Sequence, residues 1–122
     1  MRQVFALDLK DDPLLIEAYE RAHVRIWPEV RDHLRQHGVV EMEIYRLGTR
    51  MIMIMDTDDA RFDPVAMLRS AEENSAVQAW EALMGCLQLR LSEAPDGVKW
   101  AAMQKIFSLS AQGNTKEFES KS

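Results

Sequence analysis

The sequence predicts an α+β domain of ferredoxin-like type, with elements in the order β-α-β-β-α-β. Three observations carry this. Residues 2–9 and residues 39–45 alternate between two side-chain faces with the period of two that marks strands, and an apolar run follows at 50–55. Helical spacing opens behind an acidic residue and a proline at Asp12-Pro13 and again at Asp63-Pro64. Finally, 122 residues with 47% apolar side chains suffice for one core without disulfide staples.

The first strand, residues 2–9, sets Phe5, Leu7 and Leu9 on one side and Val4 and Ala6 on the other. A helix over 13–26 follows, with Leu15, Tyr19, Ala22 and Ile26 on one stripe and Ile16 and His23 beside it. Pro28 cannot continue that helix but can open another, over 28–36, which His37-Gly38 closes. Residues 39–45 and 50–55 form a hairpin around Arg46-Leu47-Gly48-Thr49. The run Met51-Ile52-Met53-Ile54-Met55 is apolar on both faces, as in a central strand covered on both sides. A polar loop at 56–63 leads to a short helix over 64–72 and a longer amphipathic one over 75–90. After a turn at Pro95-Asp96-Gly97, residues 100–109 read as the last strand. Residues 1–109 therefore form one domain, and residues 110–122 are expected to be a polar, disordered tail. A second copy of the same sheet is the simplest cover for the face away from the helices, so a homodimer is expected.

Composition narrows the function. A formal charge of -5 lacks the basic stripe of a nucleic-acid binder. No apolar run reaches the length of a membrane span, and the N-terminus lacks the pattern of a signal peptide. One cysteine, Cys86, excludes an internal disulfide and fits a reducing cytoplasm. Its apolar surroundings predict a buried thiol. The aspartates at 56, 58, 59 and 63 lack the glycine and glutamate of a calcium loop, and no metal-ligand motif occurs, so no metal or other cofactor is expected. The eight methionines fit core positions better than a soft-metal site.

His23 is the leading candidate for chemistry. Tyr19 lies four residues earlier, so on a helix the phenol and imidazole share a face. A lone helix histidine is more often structural, but a neighbouring phenol can orient a ligand or hold the imidazole in one tautomer. His33, among Arg31, Asp32 and Arg35, is expected to be solvated, and His37 to lie against a helix C-terminus. Trp80 and Trp27 are expected in the core, although an indole face also suits a sugar.

Tyr19-x-x-x-His23-x-x-Ile26-Trp27-Pro28-Glu29, then His37-Gly38, Ile44-Tyr45 and Gln78-x-Trp80-x-x-x-Met84, resembles the L-rhamnose mutarotase family across residues 2–109. The resemblance implies a dimeric ferredoxin-like α/β barrel that interconverts the anomers of a 6-deoxy-L-sugar without a cofactor. It places the proton donor on His23 and a sugar-binding tyrosine on Tyr19. The family's tandem tryptophans fall on Trp80 and Glu81, so the second is replaced. A further family tyrosine falls on Met42, and Tyr45 matches a neighbouring one. These departures touch sugar-contacting positions and spare the acid-base position. The stretch Glu41-Met42-Glu43-Ile44-Tyr45-Arg46-Leu47-Gly48 resembles a branch associated with L-fucose, which favours that sugar over L-rhamnose. The two sugars differ at C2 and C4, and the Glu81 carboxylate is expected to read hydroxyls there. A haem-binding enzyme or cofactor-free monooxygenase on the same barrel, and a non-catalytic sugar-binding module, are the competing readings.

Overall fold

The computed structural model describes residues 1–113. The strand β1 (Arg2–Leu9) leads to α1 (Pro13–Val24) and α2 (Pro28–Gln36). The hairpin β2 (Val39–Leu47) and β3 (Arg50–Thr57) follows, then α3 (Pro64–Glu72), α4 (Ser75–Gly85), β4 (Gln88–Leu89) and β5 (Ala101–Ala102). All pairings are antiparallel and the sheet order is β2-β3-β1-β4, with β5 also on β1. This is the α+β, ferredoxin-like arrangement, with β3 and β1 central.

Helix starts follow the chemistry of their caps. The carboxylate of Asp12 accepts from Leu14 N at 2.9 Å, and that of Asp63 accepts from Val65 N and Ala66 N. Proline follows each cap, where its missing N–H costs nothing. Asn74 caps α4 in the same way. The first helix stops at Val24, two residues short of expectation, because Arg25 is already extended and Trp27 must be extended before Pro28. At the end of α2, Gly38 takes φ +90°, and a Cβ there would lie 2.9 Å from Phe62 N. That close approach holds the α2–β2 joint against the loop after β3, where Asp58 N donates to Gly38 O at 2.8 Å.

One face of the sheet is covered by helices. Leu7 and Leu9 of β1 and Met51 of β3 pack there against Tyr19, Val30, Trp80, Met84 and Leu87. The other face is only partly covered. Ile52 and Ile54 on β3 are half-buried, whereas Met51, Met53 and Met55 are buried. A small second cluster of Ala6, Leu91, Ala94 and Ala101 protects part of this face.

The C-terminal third departs from the expected pattern. The helix predicted over 75–90 ends at Gly85, and Gln88–Leu89 already pairs with β1. The strand predicted over 100–109 is reduced to Ala101–Ala102, with one further bond from Met103 N to Val4 O. Register explains both. Leu89 lies opposite Asp8 and Ala101 opposite Ala6, so one edge strand is split by an excursion of residues 90–100. Arg90 fastens that excursion by donating to the carbonyls of Ala94, Pro95 and Val98. Leu109–Ala111 is one 3-10 turn, and the rest of the expected tail, from residue 114, lies outside the described residues.

Two side chains contradict expectation. His33 is buried, because it shares with Val30 the face of α2 that packs toward α4 while the charged neighbours point away. Cys86 is exposed, because it caps α4 in line with Ala82 and Leu83, which also face outward.

Candidate active site

Tyr19 and His23 stand one turn apart on α1 and their rings stack, with centroids 4.3 Å apart and planes inclined by 30°. Tyr19 is buried and His23 half-buried. The imidazole Nδ1 lies 2.8 Å from the backbone oxygen of Tyr19. A carbonyl only accepts, so Nδ1 carries the hydrogen and the neutral ring keeps its lone pair on Nε2. Trp80 of α4 meets the imidazole edge-on at 5.3 Å, and Trp27 meets Trp80 at the same spacing. The break at Trp27-Pro28 thus turns the chain so that an indole buttresses the tryptophan beside the histidine.

Burial pushes the His23 pKa below its usual 6.5, with the backbone hydrogen bond to Tyr19 opposing. Burial likewise raises the Tyr19 phenol above 10; the hydrogen bond from Gln88 opposes this and the Glu81 charge adds to it. At neutral pH the site therefore presents an unprotonated imidazole nitrogen and a protonated phenol.

These groups line a cavity of about 320 Å³ between the sheet and the helices, with Met42, Trp80, Glu81, Gln88 and Trp100 also in its wall. A wider opening of about 760 Å³ adjoins it and shares Tyr19, His23, Leu34, Met42 and Ile44. The sizes fall in the ~300–1,000 Å³ range of small-molecule sites. At the outer rim Arg46 donates to Glu20 at 2.6 Å.

The predicted site residues lie around this concavity in different ways. His23 is in contact with Tyr19 on one side and Trp80 on the other. Met42 is half-buried on the inner face of β2 and borders both spaces. Tyr45 stands at the outer opening, exposed, and its hydroxyl donates to Glu43 at 3.3 Å. Glu81 reaches the inner cavity, but its Oε2 is paired at 2.8 Å with the Nζ of Lys99. One carboxylate oxygen is thus engaged within the protein, which leaves the other for a hydroxyl. Gln88, Lys99 and Trp100 were not anticipated. The pattern of residues 75–90 absorbs Gln88 into a helix, and Lys99 and Trp100 arrive only because the excursion folds back onto the cavity. No group of three or more His, Cys, Asp or Glu side chains able to hold a metal occurs among the described residues. No helix among them is long and apolar enough to cross a membrane.

A family model described as L-rhamnose mutarotase matches residues 2–109. The chain belongs to the L-rhamnose mutarotase family. Membership places it among the carbohydrate isomerases. An L-fucose mutarotase of Xanthomonas campestris is 41% identical over 111 residues, 89% of this chain and 88% of the relative. An L-rhamnose mutarotase of Enterococcus faecalis is 31% identical over 52 residues, 40% of this chain and 50% of the relative. The crystal structure of an L-rhamnose mutarotase from Formosa agariphila superposes with a TM-score of 0.65 at 20% identity, covering 89% of this chain and 98% of that one, a likeness of fold.

Proposed function

We propose that residues 2–109 form a cytoplasmic mutarotase that interconverts the α and β anomers of a 6-deoxy-L-hexose, with L-fucose preferred over L-rhamnose. The observation that carries this reading is the 2.8 Å contact of His23 Nδ1 with the Tyr19 carbonyl, which leaves Nε2 for a ligand in the cavity that His23 lines. Opening a hemiacetal requires a proton to leave the anomeric hydroxyl and one to reach the ring oxygen. Both oxygens are bonded to C1, so one imidazole can serve both. Nε2 takes the hydroxyl proton as the C1–ring oxygen bond breaks and delivers it to the ring oxygen. Rotation about C1–C2 and reclosure by the reverse steps give the other anomer. Tyr19 donates a hydrogen bond to the oxygen on which charge develops, and Trp80, in the cavity wall beside His23, stacks on the sugar. General acid-base help of this kind supplies ~10²–10⁴-fold.

The preference for L-fucose rests on the 41% identity to the Xanthomonas enzyme over nearly the whole chain. It rests also on Glu81, whose carboxylate meets hydroxyls differently from an indole, and on Met42. Saturation transfer between anomeric proton resonances tests the reading with both sugars side by side. Faster exchange of L-fucose anomers than in buffer is expected, with a smaller effect on L-rhamnose. No acceleration of either would refute it.

The protein is proposed to act as a homodimer. Ile106, Phe107 and Leu109 are 93%, 64% and 77% exposed, just after the edge strand loses its partner. Apolar side chains on a segment that pairs with no strand among the described residues suit a second copy laid on the open sheet face. Light scattering of Ile106→Asp/Phe107→Asp should give half the mass of the unaltered protein, and a monomeric mass for the unaltered protein would overturn the proposal.

A further inference from the structure

The excursion at residues 90–100 brings a cation behind the proposed site. Lys99 Nζ lies 2.8 Å from Glu81 Oε2, 3.3 Å from the Glu81 backbone oxygen and 3.5 Å from Gln88 Oε1. On the far side of the same amide, Gln88 Nε2 lies 3.5 Å from the Tyr19 hydroxyl. Gln88 itself is buried, at 8% exposure. Both 3.5 Å contacts are at the long limit of a hydrogen bond, the range from which such contacts tighten when a ligand fills a site.

The chemistry of the three groups fixes a direction. An ammonium has only donors, so the end of the amide that faces Lys99 must be the carbonyl. The NH₂ end then faces Tyr19 and donates to its oxygen. A phenol that accepts there has its own proton left for another partner, and Tyr19 borders the cavity. With the amide reversed, Gln88 would accept the phenol's proton and Tyr19 could offer a ligand only a lone pair.

We infer that Lys99 is a positioning residue: through Gln88 it sets the Tyr19 hydroxyl as a donor into the cavity. The inference rests on the proposed mutarotase reading, since the donor direction matters for the oxygen released on ring opening. It assigns the excursion that splits the edge strand a part in the site. Lys99 does not line the cavity, and its effect on the rate runs through Gln88.

The test combines anomer exchange with a readout that needs no sugar. In Lys99→Met, exchange at saturating L-fucose should fall about tenfold, the size of one positioned hydrogen bond, with KM little changed. Lys99→Arg, which keeps a donor-only head, should recover most of the rate. In a Gln88→Met background, Lys99→Met should cost little further rate, because the amide it orients is gone. Equal losses with and without Gln88, a loss confined to KM, or no recovery with arginine would each overturn the inference. Independently, cross-peaks between the Gln88 side-chain amide protons and the Tyr19 ring should be present in the unaltered protein and weaken in Lys99→Met. Unchanged cross-peaks would overturn it as well. If neither sugar's anomers exchange faster than in buffer, the functional reading fails by itself, and the cross-peaks still decide the orientation of Gln88.

Discussion

Replacing Tyr19 by phenylalanine removes one oxygen from the site and little else. The ring keeps its stacking on His23 at 4.3 Å and its place in the core, because only the hydroxyl is lost. Among the described residues the one hydrogen bond of the hydroxyl is the 3.5 Å contact from Gln88, and Gln88 retains Lys99 on its other end. A neutral bond of that length lies at the weak end of the usual range, so stability should drop by less than about 1 kcal/mol. In the reaction the same hydroxyl faces an oxygen that is gaining charge, and hydrogen bonds to charged groups are worth about 1.5–3 kcal/mol. At about 1.4 kcal/mol per tenfold, anomer exchange should slow by roughly 10- to 150-fold. Urea unfolding and saturation-transfer exchange on one preparation separate the two effects. An exchange rate within about twofold of the unaltered protein would refute the role given to the phenol, and a large loss of stability would refute the energetic reasoning.

Other consequences follow from the same geometry. The exchange rate should hold steady above pH 6.5 and fall below it as His23 gains a proton, with an apparent pKa under the ordinary 6.5 of a histidine because burial disfavours the charged ring; a midpoint above 6.5 would contradict this. Stability should move in the same direction. The pKa values of His23 and His33 are lowered in the folded chain, so the unfolded chain binds protons first, and stability complete above pH 6.5 is lost as pH falls through the folded values. Gly38→Ala should destabilise by about 2–3 kcal/mol, from a left-handed φ costing about 1–2 kcal/mol and the contact with Phe62 N, and lower Tm by roughly 10 °C. Cys86, exposed at the end of α4, should react with a thiol reagent in the native protein, with exchange staying within about twofold of the unmodified rate.

Much of the fold was legible because the relevant signals are local. The β2–β3 hairpin declares itself by alternation and Gly48, and the caps at Asp12 and Asp63 mark helix starts by residue type alone. The edge strand was not legible. Two residues at Gln88–Leu89 have no measurable period, and the spacing of α4 runs on past Gly85 as far as Arg90. What divides the strand is tertiary, since Arg90 closes the excursion through carbonyls that no pattern announces. His33 misled because its sequence neighbours are charged, whereas burial follows the helix face it shares with Val30. Cys86 misled in the opposite sense, since it lies in line with Ala82 and Leu83, which α4 also leaves exposed. Within the site, Tyr19 and His23 were readable as a pair because both sit on one helix. Trp80 needed the resemblance to a family, and Lys99 needed the folded chain.

His23, kept neutral by burial and held with Nε2 free by the Tyr19 carbonyl, is the group that moves the proton in the proposed ring opening. Anomer exchange of L-fucose measured by saturation transfer in the unaltered protein and in His23→Ala tests it most directly. His23→Ala, still folded and still binding the sugar, should lose about 10²-fold or more of the acceleration. Exchange in His23→Ala as fast as in the unaltered protein would contradict it.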